Sequence, residues 1–302
     1  MNFRRSAFLA LAALAVGGTA IAQNLMDNPN FDTNLLLWST SGGSAEFDSR
    51  DADGLTTSGS AKITNNLSAA ESGQGILGNP CIGVSPGDHY SFGGKFFVPT
   101  GQASAIDSPA LQYFSGTTCT GALGGTSPNS PATPGVWQTV SSDNVTIPDG
   151  VQSIRLAAFL STGNDPSPPL VGYFDDAFLI KGSITAPCVA DDTTLCLHGG
   201  RYRVNVYWRT HSDYGDGHGT VLTDDSADYW FFDPTNVELI LKVKDACVDP
   251  FNHFWVFIAG LTNVEVTVTV IDTHTGVVRT YTNPLDRSYV TALDTNAFAT
   301  CP

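Results

Sequence analysis

The chain has 302 residues, 42% of them apolar and 14% charged, with 29 Asp and Glu against 14 Lys and Arg for a formal net charge of −15 at pH 7. The ordinary apolar content excludes a disordered chain, and the acidic balance opposes binding to nucleic acid or to anionic lipid. Few charges, with many Gly, Ser, Thr and Asn, fit a β protein rich in turns.

Residues 1–22 carry Arg4 and Arg5, an apolar stretch from Ala7 to Val16, and Ala20-Ile21-Ala22. A charged start, a short apolar core and an A-x-A end predict a cleavable secretory signal. The apolar part is short for a membrane span, and no later stretch is suited to membrane insertion. The mature chain is expected to begin at Gln23 and to be secreted, extracellular or periplasmic. Losing Arg4 and Arg5 takes the formal charge from −15 to −17.

Residues 23–181 read as a first domain of short strands separated by turn signals. Candidate strands are 59–66, 81–84, 89–98, 110–115, 135–142, 151–161 and 171–180. Pro-Gly at 86–87 and 134–135 and Pro-Asp-Gly at 148–150 mark turns. Many short strands at this spacing predict a sandwich or jelly roll. The acidic loop 48–54 (DSRDADG) reads as a surface turn.

Residues 182–187 (GSITAP) form a short polar boundary, and residues 188–302 a second domain. Its strands show a period of two. Val237, Leu239, Leu241 and Val243 alternate with Glu238, Ile240, Lys242 and Lys244, and Val264, Val266, Val268 and Val270 alternate with Glu265, Thr267 and Thr269. Phe254 to Ile258 is apolar on both faces, as a central strand can be. Residues 209–220, rich in Gly and Asp, read as a loop. Six or seven strands in this length predict a smaller immunoglobulin-like sandwich. The fold class is therefore all-β: an amino-terminal jelly-roll sandwich, then a smaller immunoglobulin-like one.

All six Cys lie after residue 22, and an even count in an exported chain predicts disulfides. If each domain keeps its own, Cys81 pairs with Cys119. The other four allow three pairings, of which Cys188–Cys301 with Cys196–Cys247, tying the ends of the second domain, is expected. No C-x-x-C pair or H-x-x-x-H spacing points to zinc.

The opening Asn28-Pro29-Asn30-Phe31-Asp32 with Trp38 carries a resemblance, as do Cys81 to Tyr90, Trp137-Gln138-Thr139-Val140, residues 147–151 (IPDGV) and Tyr173-Phe174-Asp175-Asp176. In this order they resemble carbohydrate-binding modules with the galactose-binding-like jelly roll. The resemblance implies a polysaccharide or cell-surface glycan as partner. It also implies structural calcium, with Asp32 and Asp175 as ligands that would pin the two ends of the domain together. The rival reading has Asp175 and Asp176 bonded to loop amides.

Sugar binding needs an aromatic platform and planar polar groups that pair with hydroxyls. Tyr113, Phe159 and Tyr173, with Lys95, Gln112 and Arg155, lie on candidate strands that would face a groove. The second domain resembles a β domain that recurs near the carboxy terminus of secreted bacterial proteins, which implies an accessory or display role. Glu238 and Glu265 fall at outward strand positions, where solvated charge is ordinary. There is no G-x-S-x-G elbow, no H-E-x-x-H and no phosphate-cradling loop, so no enzyme is expected. The sequence points to a secreted, non-catalytic glycan-binding protein. A structural or adhesive scaffold is the alternative, and a secreted hydrolase comes third.

Overall fold

The computed structural model describes residues 23–55, 58–68, 73–102, 106–128, 130–162 and 169–302. The predicted secretory signal lies outside these residues. In the first sandwich the strands are β1 (Ser39–Ser41), β2 (Ser44–Asp48), β3 (Ser60–Asn65), β4 (Gly73–Leu77), β5 (Ile82–Gly83), β6 (His89–Phe97), β7 (Ile106–Phe114), β8 (Ala122–Thr126), β9 (Ser130–Pro131), β10 (Trp137–Thr146), β11 (Ser153–Ser161) and β12 (Leu170–Lys181). In the second they are β13 (Thr194–Leu197), β14 (Tyr202–Arg209), β15 (Tyr214–Asp216), β16 (His218–Thr223), β17 (Ser226–Trp230), β18 (Leu239–Ala246), β19 (His253–Gly260), β20 (Glu265–Asp272), β21 (Val277–Asn283) and β22 (Ala292–Phe298).

One sheet of the first sandwich runs β1-β4-β11-β7-β8, with β5 on β11 and β9 on β7; the facing sheet runs β10-β6-β12-β3-β2. Alternation sorts the faces. On β11, Ile154, Leu156, Ala158 and Leu160 are buried in the core, whereas Arg155 and Phe159 are half-buried on the other face. Phe31, Trp38, Phe96 and Phe174 pack at the centre with ring centroids 4.7 to 6.2 Å apart. The second sandwich pairs a sheet β13-β14-β20-β21, with β15 on β14, against β16-β17-β18-β19-β22. Its core holds Tyr202, Val204, Tyr229, Leu241, Val256, Val268 and Phe298.

The segment predicted as a loop at 209–220 instead holds β15 and the start of β16. Its Gly and Asp residues lower strand propensity, but pairing to β14 and β17 supplies the ladder that local sequence does not. Glu238, predicted to face water, is 6% exposed, because Asn236 donates to its carboxylate at the end of the sandwich where the chain enters β18.

The disulfides are Cys81–Cys119, Cys188–Cys196 and Cys247–Cys301. The first matches its prediction; the expected pairings Cys188–Cys301 and Cys196–Cys247 are corrected. Cys196 sits on β13, at the edge of one sheet, and closes an 8-residue loop with Cys188. Cys247 follows β18 in the other sheet. There β22 runs beside β19 and delivers Cys301 to it, with a Cα–Cα distance of 5.5 Å.

The two sandwiches share an interface. Phe178, Ile180 and Ile184 pack on Ile271 and Val278. Asn24, 2% exposed, donates its side-chain amide to Ala177 O (2.9 Å) and Thr280 Oγ1 (3.0 Å), while its carbonyl accepts from Leu179 N (3.1 Å). The connecting segment is held by Asp143, whose carboxylate accepts from Ile184 N (2.9 Å), Ser183 Oγ (2.9 Å) and Thr185 Oγ1 (2.6 Å).

Candidate functional site

The outer face of the β4-β11-β7-β8 sheet is hollow. Registration sets Arg155 opposite Gln112, Ala157 between Ala110 and Leu77, and Ser153 opposite Phe114. Small residues form the floor: Ala110, Ala122, Gly124 and Gly125. Gly124 has φ +101°, beside the register shift between Tyr113 and Phe114, and a Cβ on Gly125 would stand 2.5 Å from Leu111 O. Larger side chains rise on either side, Phe159 and Leu77 toward one end and Phe114 and Arg155 toward the other. The cleft has a volume of about 530 Å³ and also includes Gln112, Thr126 and Ser127.

Arg155 and Phe159 are four residues apart on one face of β11, about 13 Å along a strand. The Arg155 guanidinium lies 5.7 Å from the Phe114 ring centroid. Its Nε is buried without an acceptor. The far end is closed by the 115–121 turn, which Cys119 ties to Cys81. That turn is anchored on β11 by Ser153, which accepts from Cys119 N (3.0 Å) and donates to Gly116 O (2.6 Å).

Of the six residues predicted to contact ligand, Gln112, Arg155 and Phe159 meet in this cleft, and three lie elsewhere. Tyr113 is 9% exposed and points into the core, one residue out of phase with Gln112. Tyr173 lies on the facing sheet, where the Arg50 guanidinium sits 4.6 Å from both its ring and that of Phe97. Lys95 is on that sheet too and is consumed by ion pairs. Phe114 and Leu77 were not predicted. Phe114 ends the alternating run that begins at Ala110, and that phase was the available signal.

Lys95 belongs to a buried group of four charges. Its Nζ bonds Asp53 and lies 2.9 Å from Asp176 Oδ2, while Arg279 reaches Asp53 Oδ1 and Asp176 Oδ2 at 3.1 Å each. A bulge in β12 after Asp175, with φ +49° at Asp176, aims the second carboxylate at this cluster. Burial, then the Asp176 charge, pushes the Asp53 carboxyl up to about 7. Asp176 is also buried, but Lys95 and Arg279 hold it below the usual carboxylate range. Asp175, sealed in, is held well above that range by burial and by Asp176.

Asp32 and Asp175, expected to bind calcium, both have carboxyls raised above their ordinary value by burial, and both feel the Asp51 charge, which adds to the rise. Asp175 accepts from Ala52 N (2.9 Å) and Asp176 N (2.8 Å), and Asp32 accepts from the Thr282 hydroxyl. The positive charge beside the acidic pair comes from Lys95 and Arg279. Among the described residues no cluster of three or more His, Cys, Asp or Glu is arranged to hold a metal ion.

A second cleft, of about 590 Å³, opens at one end of the second sandwich between Phe232, Asn236, Glu238, residues 260–264, Ser288 and Tyr289. Much of it is loop, and no cation lines it.

No family model matches the chain, and no curated protein matches it. Solved structures do. The carboxy-terminal family 22 carbohydrate-binding module of Clostridium thermocellum Xyn10B is 18% identical over 52% of this chain and 96% of that one, with a TM-score of 0.38. The TmCBM61 module in complex with β-1,4-galactotriose is 14% identical over 53% and 99%, with a TM-score of 0.37. The CBM22-2 xylan-binding domain of Paenibacillus barcinonensis Xyn10C is 15% identical over 52% and 97%, with a TM-score of 0.38. The likeness is to carbohydrate-binding modules and is one of fold.

Proposed function

We propose that this protein is a secreted, non-catalytic carbohydrate-binding protein whose first sandwich takes a polysaccharide chain in the cleft over β4, β11, β7 and β8. One observation carries the reading. Phe159 flanks a floor of Ala and Gly, with the Gln112 amide and the Arg155 guanidinium further along, where the guanidinium lies over the buried Phe114 ring. Aromatic rings offer faces for the apolar side of a sugar ring, and planar amide and guanidinium groups orient its hydroxyls. The low floor leaves a channel along the strands in which a linear chain can lie.

Three disulfides support an oxidising compartment, and no helix among the described residues is long and apolar enough to cross a membrane. The second sandwich is an accessory domain. Its contacts along β12, β20 and β21 fix it against the first sandwich.

The test is binding of the full chain to a panel of soluble and insoluble polysaccharides by affinity electrophoresis and pull-down, with Phe159→Ala as control. Saturable binding that Phe159→Ala weakens at least about tenfold is expected. A folded protein that retains no polysaccharide moves the reading to a structural scaffold.

A further inference from the structure

We infer that the cleft prefers an acidic polysaccharide, and that Arg155 is its specificity residue, pairing with the carboxylate of a uronic acid. The inference rests on the carbohydrate reading above and narrows its ligand.

Among the described residues Arg155 is the half-buried cation whose guanidinium makes no hydrogen bond and no ion pair. The other half-buried or buried cations are engaged. Lys62 pairs with Glu46, Lys95 and Arg279 with Asp53 and Asp176, Arg201 with Asp272, Arg209 with Glu265 and Lys242 with Asp225. Arg203 donates to Ser183 O. In a chain with 29 acids and 14 Lys and Arg, a partly desolvated guanidinium left without an acid is an unmet demand.

The surroundings preserve that demand. The described residues that line the cleft include no Asp and no Glu, and beside Arg155 their polar members are Gln112, Thr126 and Ser127. The Phe114 ring, 5.7 Å from the guanidinium, backs it on one side. With Nε buried, the outer edge of the fork is what a ligand meets, and a planar carboxylate matches it with two parallel hydrogen bonds. Across the strand pair Gln112 stands opposite Arg155 and supplies an amide for a neighbouring hydroxyl. Phe159, further along β11, grips the next part of the chain. The repulsion from the acidic protein as a whole is screened beyond roughly 8 Å at physiological salt. The cleft itself therefore decides the sign of the ligand.

The experiment compares one backbone with and without its charge. The full chain is titrated by calorimetry with polygalacturonate, with its methyl-esterified form, with alginate and with a neutral galactan, as wild type, Arg155→Gln, Arg155→Lys and Phe159→Ala. Wild type is expected to bind at least one of the two uronate polymers about tenfold or more tighter than the ester and the galactan. Arg155→Gln brings the ratio of acid to ester to about one and leaves ester binding in place, while Arg155→Lys keeps part of the preference. Polygalacturonate against alginate identifies which uronate fits. Equal, Phe159-dependent affinity for acid and ester overturns the inference and leaves the carbohydrate reading standing, as does an acid preference that survives Arg155→Gln. No Phe159-dependent binding to any of the four polymers overturns the inference, and the carbohydrate reading falls with it only where the wider polysaccharide panel is also not retained.

Discussion

Arg279 Nη1 donates to Asp176 Oδ2 at 3.1 Å across the interface between the two sandwiches, from a position 103 residues further along the chain. With Lys95 and Asp53 it completes a buried group of two acids and two bases. The pairing ties the second sandwich to β12, the closing strand of the first. Replacing Arg279 with Ala strands Asp176 and Asp53 against Lys95 alone, and loss of one member of a buried network costs about 3–5 kcal/mol. Thermal unfolding of the variant is expected to begin several degrees lower, with proteolytic cleavage at residues 182–187 that wild type resists. An unchanged melting curve contradicts the role given to this pair.

The same cluster sets a pH dependence. Asp53 is pushed up to about 7 by burial and the Asp176 charge, above its ordinary value near 4. Between about pH 4 and 7 the folded state holds a proton that the unfolded state has lost. The contribution of Asp53 is therefore fully present near pH 4 and is lost as pH rises through about 7. Asp53→Asn is expected to melt close to wild type at pH 5 and to gain on it as pH rises to 8. A gap that is constant across this window contradicts the shift.

Calcium is expected to leave the protein indifferent. Asp32 and Asp175 are engaged with Thr282, Ala52 and Asp176, and no metal-holding acidic cluster is present among the described residues. Melting temperatures in millimolar calcium and in chelator should agree. A stabilisation that grows with calcium concentration reveals a site on the folded state.

Tyr113 and Phe159 separate core from site. Tyr113→Ala removes a ring from the core and is expected to cost about 3–5 kcal/mol, seen by chemical denaturation. Phe159→Ala, on a half-buried outer position, is expected to cost under about 1.5 kcal/mol while weakening glycan binding. The reverse pattern, a stable Tyr113→Ala protein without binding, places the ligand elsewhere.

Alternation along the strands was the legible part of this chain. It marked Val264 to Val270 and Val237 to Val243 as half-buried strands, whereas the opening and closing segments were legible only through their resemblance to carbohydrate-binding modules. Gln112, Arg155 and Phe159 were named for their chemistry on candidate strands, and in the structure the period of two puts each on the face opposite the core. Tyr113 fails by the same rule, since its neighbour Gln112 already claimed the outer face. The ion cluster was illegible for another reason. Asp53 lies in a segment that reads as a surface turn, and nothing local to it names Arg279 as its partner. Nor does spacing choose among three cystine pairings, which depend on the sheet that each strand joins. Short strands such as β8, with two Gly in five residues, carry too little pattern to be read.

The most direct test of the central claim is hydrogen exchange of the full chain with and without a saturating polysaccharide, resolved to peptides. Protection confined to β4, β7, β8 and β11, with residues 115–121, is the expected result. Protection on the opposite sheet around Phe97, Trp137 and Tyr173, or on the second sandwich alone, contradicts it.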